Sequence, residues 1–245
     1  MHSTENARVG AGRRGAGEHR SGAAEKHPLH RAQFLTTAAE WRQLPSESAP
    51  EVAFAGRSNA GKSSAINALA QRNRLAFVSK TPGRTQHINF FRLESGGILA
   101  DLPGYGYAAV PVATRRRWQS FLARYLAERV PLVGLVLLMD IRHPLAPLDR
   151  QMLEWFLPSG RAVRILLTKA DKCSASERAL ALKRVHDAIG QTYGNHRDQL
   201  AVQLFSATRR LGVTEAGAAI AAWLAGNART GIAPTEKERP RHQGE

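Results

Sequence analysis

Eight consecutive residues, Gly56-Arg57-Ser58-Asn59-Ala60-Gly61-Lys62-Ser63, carry the clearest chemistry in the 245-residue chain. They read G-x-x-x-x-G-K-S. Glycines at both ends let a loop curl so that successive backbone amides point inward at an anion. A helix that begins at the lysine adds the positive end of its dipole. Lys62 can then reach terminal phosphates, and the Ser63 hydroxyl can ligate a magnesium ion. The flanks suit this reading. Glu51–Ala55 is a short, mostly apolar strand candidate, and Ser64–Ala70 is helix material with apolar residues at Ala65, Ile66 and Leu69. The pattern predicts a phosphate-binding loop, a P-loop, between a strand and a helix.

Later segments could complete such a site. Asp101-Leu102-Pro103-Gly104 fits D-x-x-G, in which the aspartate holds magnesium through water and the glycine amide senses a γ-phosphate. A hydroxyl in the polar loop before it could close the magnesium shell only when that phosphate is present. Thr81 and Thr85 both qualify, and composition does not choose between them. Thr168-Lys169-Ala170-Asp171 is the base-reading candidate. One carboxylate can accept both N1–H and N2–H₂ of guanine, whereas adenine has no such pair of donors. A purine without them would leave the buried carboxylate unpaired. Lys169 would lay its stem over the base. The bland alternative is a solvated K-x-D turn. Ser206-Ala207, after a further strand, would offer a backbone amide to the guanine oxygen, although the dipeptide alone carries almost no information.

These segments must be positioned by a scaffold, and the hydrophobic pattern supplies one. A hairpin is expected over His87–Leu93 and Ile98–Asp101, turning at Ser95-Gly96-Gly97. A helix over Ala113–Arg129 presents Trp118, Phe121, Leu122, Tyr125 and Leu126 at helical spacing, as packing and not as a base-stacking platform. Leu132–Met139 is a continuous apolar run, typical of a parallel strand covered on both faces. A helix near Leu148–Phe156, a strand Val163–Leu167, a helix Ser176–Gly190 capped by Ser174 or Ser176, a strand Leu200–Phe205 and a helix Gly212–Leu224 complete the alternation. The fold class is α/β: a three-layer sandwich on a mostly parallel, six-stranded sheet with one antiparallel strand. Motifs at the C-terminal ends of its strands then converge on one crevice.

Residues 1–30 are Gly, Ala, Arg, His and Ser with few large apolar residues. They are expected to be a disordered basic tail, and 226–245 a second disordered tail, around one domain at 31–225. No stretch approaches the roughly 18 apolar residues of a membrane span. No signal-peptide core is present, and the lone Cys173 suits a reducing compartment, so the cytoplasm is the expected location. The nine histidines form no metal-ligand spacing with Cys173. Of the net charge of +15, 11 charges fall on residues 32–225, which points to a polyanion such as RNA, or to a charge that serves solubility. Arg115-Arg116-Arg117 stands where a helix dipole disfavours cations, and is either a phosphate-facing cluster or a solvated face.

Taken together, Gly56–Ser63, Thr81-Pro82-Gly83-Arg84-Thr85-Gln86, Asp101-Leu102-Pro103-Gly104-Tyr105-Gly106-Tyr107, Asp140-Ile141-Arg142-His143-Pro144, Thr168–Asp171 and Phe205-Ser206-Ala207 resemble the EngB (YihA/YsxC) family of the TrmE–Era–EngA–EngB group of bacterial GTPases. The likeness spans about residues 30–225. It implies a Ras-like G domain that binds GTP and GDP and hydrolyses GTP with magnesium. It also implies a role in assembly of the large ribosomal subunit, with its rRNA and proteins as partners, and a requirement for septation and cell division. A monomer is expected. By position it assigns magnesium to Ser63 and Thr85, with Asp101 acting through water, and nucleotide contacts also to Gly83, Arg84, Gln86, His87 and Phe205. The wider GTPase pattern has asparagine, which tethers the P-loop, where Thr168 stands; threonine is usual in this family. Ras-like enzymes orient the attacking water with a glutamine after D-x-x-G. Tyr105 holds that place, so intrinsic turnover should be slow, with Lys62, Thr85 and Asn59 as the catalytic candidates. Asn59 resembles the P-loop asparagine of potassium-stimulated relatives. Two other readings remain: a P-loop ATPase or kinase, which Asp171 argues against, and an RNA-binding assembly scaffold whose nucleotide pocket is mainly structural.

Overall fold

The structure, a computed structural model, describes residues 29, 31–72, 74–76, 87–106 and 112–226, without the side chains of 112–115. In chain order its strands are β1 (Gln33–Ala38), β2 (Glu51–Gly56), β3 (Ile88–Arg92), β4 (Ile98–Asp101), β5 (Leu132–Asp140), β6 (Ala162–Thr168) and β7 (Leu200–Leu204). Its helices are α1 (Lys62–Leu69), α2 (Val112–Glu128), α3 (Pro147–Phe156), α4 (Ala175–Thr192) and α5 (Val213–Leu224). The strands form one sheet in the order β1-β3-β4-β2-β5-β6-β7.

The middle strands β2 and β5 are buried on both faces, as their apolar runs require. Side chains alternate along a strand, so each strand feeds two cores. Ala53, Ala55, Leu135, Leu137 and Met139 face a cluster closed by Leu122 and Tyr125 of α2, Met152 and Phe156 of α3 and Val185 of α4. Val52, Phe54, Val136 and Leu138 face the other, closed by Ile66 and Leu69 of α1 and Ile220 and Trp223 of α5. The result is the expected three-layer sandwich. The α2 aromatics are packing: Tyr125 is fully buried, while Trp118 and Phe121 pack against the first cluster.

The sheet has seven strands where six were expected. The extra one, β1, pairs antiparallel with β3 from Gln33↔Arg92 to Ala38↔Ile88, with a bulge between Phe34 and Thr36. It is an edge strand with Phe34 62% exposed, so no alternation of buried and solvated residues marks it in the sequence. Since β3 also pairs antiparallel with β4, β3 alone runs against the other strands, as expected. Ser174, not Ser176, caps α4: its hydroxyl accepts from Glu177 N at 3.3 Å and Glu177 returns a bond to Ser174 N at 2.7 Å.

The parallel strands end at one pole. At the other, β2 starts with the buried Glu51. Its carboxylate accepts from Arg129 Nε at 3.0 and 3.1 Å and from Tyr125 Oη at 3.0 Å. A charge with no exposure at all survives there because it is paired and hydrogen-bonded.

Candidate nucleotide-binding site

After Gly56 the chain turns through Asn59 (φ 66°) and Gly61 (φ 92°) before α1 starts at Lys62, with Ser63 on its first turn. Asparagine is among the few residues that tolerate this left-handed backbone. The loop is held from two sides. Ser58 N donates to Tyr105 O at 2.9 Å and Tyr105 N to Gly56 O at 3.3 Å, so the segment after D-x-x-G lies along the P-loop. Glycine at 104 permits this approach. A Cβ there would sit 3.1 Å from Ser58 Oγ and 3.2 Å from its Cα. From the other side Thr168 Oγ1 donates to Ala60 O at 2.6 Å, with Met139 O 3.1 Å away. Threonine therefore makes the tether that the wider GTPase pattern gives to asparagine.

Lys62 Nζ forms an ion pair with the Asp101 carboxylate, both side chains being about nine-tenths buried. Burial pushes the Asp101 carboxyl up from its ordinary range, and the neighbouring ammonium pulls it back. Leu102 lies fully in the core, so only its backbone is available: its amide donates to Phe54 O at 3.0 Å. Pro103 is half-buried. The register Asn89↔Asp101 sets His87 at the same pole as Asp101. Gly83, Arg84, Thr85 and Gln86 lie outside the described residues, as do Thr81, Tyr107 and nearly all of both tails.

At the ends of β6 and β7, Asp171 Oδ1 accepts from Ser206 Oγ at 2.6 Å. Ser206 Oγ in turn accepts from Arg209 N at 3.1 Å. The Ser206 hydroxyl holds the Asp171 carboxyl below its usual range, helped by Lys172 at 3.8 Å. Ser206 N is spent on Leu211 O at 3.0 Å, so the amide this pair can offer a base is that of Ala207. Phe205 and Ala170 are buried and serve through backbone, Ala170 N donating to Phe205 O at 3.2 Å. Lys169 has φ 58°, and its Nζ lies 3.0 Å from Asp140 Oδ2. Asp140 also receives Arg142 Nε at 2.9 Å and Nη2 at 2.6 Å. These bonds hold the Asp140 carboxyl far below the ordinary aspartate range.

Two acidic residues matter here that the sequence reading did not place among site residues. Asp140 anchors Lys169, and its position at the C-terminal end of an apolar strand was the available signal. Asp149 is fully buried and accepts from Tyr105 Oη at 2.7 Å and from Ala146 N at 3.0 Å. Burial raises the pKa of both Tyr105 and Asp149, and the carboxylate raises that of Tyr105 further. In sequence Asp149 reads only as an acid in a helix's first turn, and nothing there pairs it with Tyr105. Arg116 and Arg117 are exposed. A cavity of about 560 Å³ lined by Glu154, Tyr193 and His196 involves none of the motif residues. Among the described residues, no His, Cys, Asp and Glu cluster could hold a metal, and no helix is long and apolar enough to cross a membrane.

Residues 51–169 match a family described as 50S ribosome-binding GTPase. "Probable GTP-binding protein EngB" of Thiobacillus denitrificans is 58% identical over 200 residues, covering 82% of this chain and 94% of its own length. The chain belongs to the EngB family. Its counterpart in Azoarcus sp. is 54% identical over 208 residues, covering 84% of this chain and 98% of its own. Among solved structures, that of a probable GTP-binding protein engB aligns with a TM-score of 0.58 at 17% identity, over 72% of this chain and 99% of that one. Era in complex with MgGDPNP and a 16S ribosomal RNA fragment aligns at 0.54 and 19% identity, over 71% and 56%. At such identities these two structures speak for the fold. Membership of the EngB family makes the chain a GTP-binding protein and a GTPase.

Proposed function

We propose that the chain is a magnesium-dependent GTP switch with slow intrinsic hydrolysis, acting in assembly of the large ribosomal subunit. The observation that carries this reading is the convergence, at one pole, of a phosphate loop with a carboxylate that the Ser206 hydroxyl holds in place. An ionised Asp171 can accept both guanine donors at once, with Ala207 N left for the guanine oxygen. ATP would desolvate the same carboxylate and give it nothing.

In the free protein Lys62 is spent on Asp101. A β/γ-phosphate is a stronger partner for the ammonium and would release the carboxylate. Ser63 and Asp101 then offer hard oxygen donors, which fit magnesium, with Thr85 as the further ligand that the family likeness assigns. When bound, magnesium neutralises charge on the phosphoryl group. The Tyr105 hydroxyl is committed to Asp149 and turned into the protein, which supports slow turnover without a partner. Asn59 with potassium is the substitute to test: with 50S particles present, turnover should be faster in potassium than in sodium, and equal rates remove Asn59 from the mechanism.

The ribosomal partner is supported by the matched family's description and by the net charge of +11 on residues 32–225. A need for septation and cell division would follow through ribosome supply. The chain is read as a cytoplasmic monomer whose one G domain, residues 31–225, lies between two tails. Two measurements test the proposal. ATP should fail to displace labelled GDP where unlabelled GDP succeeds; equal displacement would end the guanine reading. Association with purified 50S particles should depend on GTP, weaken steeply with salt and be lost in Lys62→Ala. Retention by that variant would favour the scaffold instead.

A further inference from the structure

The loop that carries Ser206 rests on a foundation outside every motif. Arg164, in the middle of β6, donates through Nη1 to Gln203 Oε1 on β7 at 2.7 Å. An arginine has only donors, so this bond fixes the amide, with its oxygen toward Arg164 and its NH₂ turned away. That NH₂ donates to Gly212 O at 2.8 Å. Gly212 closes the loop and caps α5. Its φ is 71°, and a Cβ there would lie 2.2 Å from Leu204 O and 2.7 Å from Gln203 Nε2. The two ends of the loop are thus clamped together, Leu204 against Gly212 and Ser206 N on Leu211 O. Between them stand the Ser206 hydroxyl that holds Asp171 and the Ala207 amide.

Arg164 is a costly group to keep here. Burial pushes its pKa down, the nearby Glu215 draws it back, and its Nε is buried without an acceptor. Its one side-chain hydrogen bond among the described residues is the one that orients Gln203.

We propose that Arg164 and Gln203 are positioning residues for guanine recognition, the relay Arg164–Gln203–Gly212 seating loop 206–212 and, through Ser206, aligning Asp171. This rests on Asp171 as the base reader. The relay has no hydrogen bond to the P-loop, so its loss falls on the base and not on the phosphates.

Gln203→Glu is the diagnostic change. A carboxylate keeps Arg164 as its partner, so the interior beneath the loop stays paired, but it cannot donate to Gly212 O and repels it. Dissociation constants for GDP, IDP and XDP are measured on the full-length wild type and on Gln203→Glu, Arg164→Met, Arg164→Lys and Asp171→Asn, with melting temperatures to verify folding. IDP lacks the N2 amino group, so the GDP-over-IDP preference reads the alignment of Asp171. That preference should fall about fivefold in Gln203→Glu and Arg164→Met, the scale of one mis-set hydrogen bond. Arg164→Lys still donates to Gln203 Oε1 and should keep the preference within about twofold of wild type. An unchanged preference in a folded Gln203→Glu protein, or equal weakening of both nucleotides, overturns the inference. Asp171→Asn separates the two layers. If it gains no affinity for XDP, the base reading itself fails and the relay with it. If it does gain while Gln203→Glu retains the wild-type preference, the relay alone fails.

Discussion

Replacing Thr168 by valine removes one hydroxyl and leaves side-chain volume almost unchanged, so it isolates the tether between β6 and the P-loop. The bond to Ala60 O is 2.6 Å long, and Thr168 and Ala60 are each only 3% exposed. Water cannot replace the lost donor without opening the loop. Met139 O, at 3.1 Å, competes for the same single proton, so the substitution strips one carbonyl of its partner and not two. Leaving a buried acceptor unsatisfied costs about 1–3 kcal/mol. If the free protein responds by letting the loop leave its binding shape, apparent affinity falls by the fraction still competent. About 1.4 kcal/mol corresponds to a tenfold rise in the GDP dissociation constant. Calorimetric titration of Thr168→Val with GDP should therefore show weakening of about tenfold. Thr168→Ser, which keeps the hydroxyl, should stay within about threefold on the same scale. Wild-type affinity in a folded Thr168→Val protein would refute the claim that this hydroxyl shapes the P-loop.

The remaining predictions concern other parts of the framework. Glu51→Ala leaves Arg129 without its carboxylate at the pole away from the nucleotide, and should cost about 3–5 kcal/mol by denaturant titration with GDP affinity unchanged. Tyr105→Phe deprives buried Asp149 of one of two donors, and should cost about 1–3 kcal/mol while single-turnover hydrolysis without ribosomes keeps its wild-type rate. A slower rate would mean that Tyr105 takes part in the chemistry. Asp140 has a folded pKa below its ordinary 3.8, so its contribution to stability is full above that value and is lost as the pH falls below it. Asp140→Asn should accordingly lower the melting temperature at pH 7, and the difference from wild type should shrink once the pH drops below about 3.8. Because Arg142 is half exposed, the effect at neutral pH should be about 1 kcal/mol or less.

The candidate phosphate loop was legible in the sequence because it is local. A strand, a glycine-bounded loop and a lysine at a helix start are all contained within Glu51–Leu69. The apolar run of β5 marked a strand buried on both faces, and the parallel alternation then put Asp101, Thr168, Asp171 and Ser206 at one pole. Where a segment lacked period, legibility ended. Gln33–Ala38 gives no alternating pattern, since an edge strand with an exposed phenylalanine has no need of one, and the sheet gained its seventh strand only in three dimensions.

Residue types and their order along the chain therefore determined which groups could meet a phosphate, a metal or a guanine base. Their partners were decided by tertiary structure. Thr168 and Ala60 lie 108 residues apart, Tyr105 and Asp149 44, Asp171 and Ser206 35, and Arg164 and Gln203 39. No local propensity relates such pairs. They meet because the fold sets side by side strands and helices that are distant in sequence. There, buried polar atoms must find partners or cost the fold its stability.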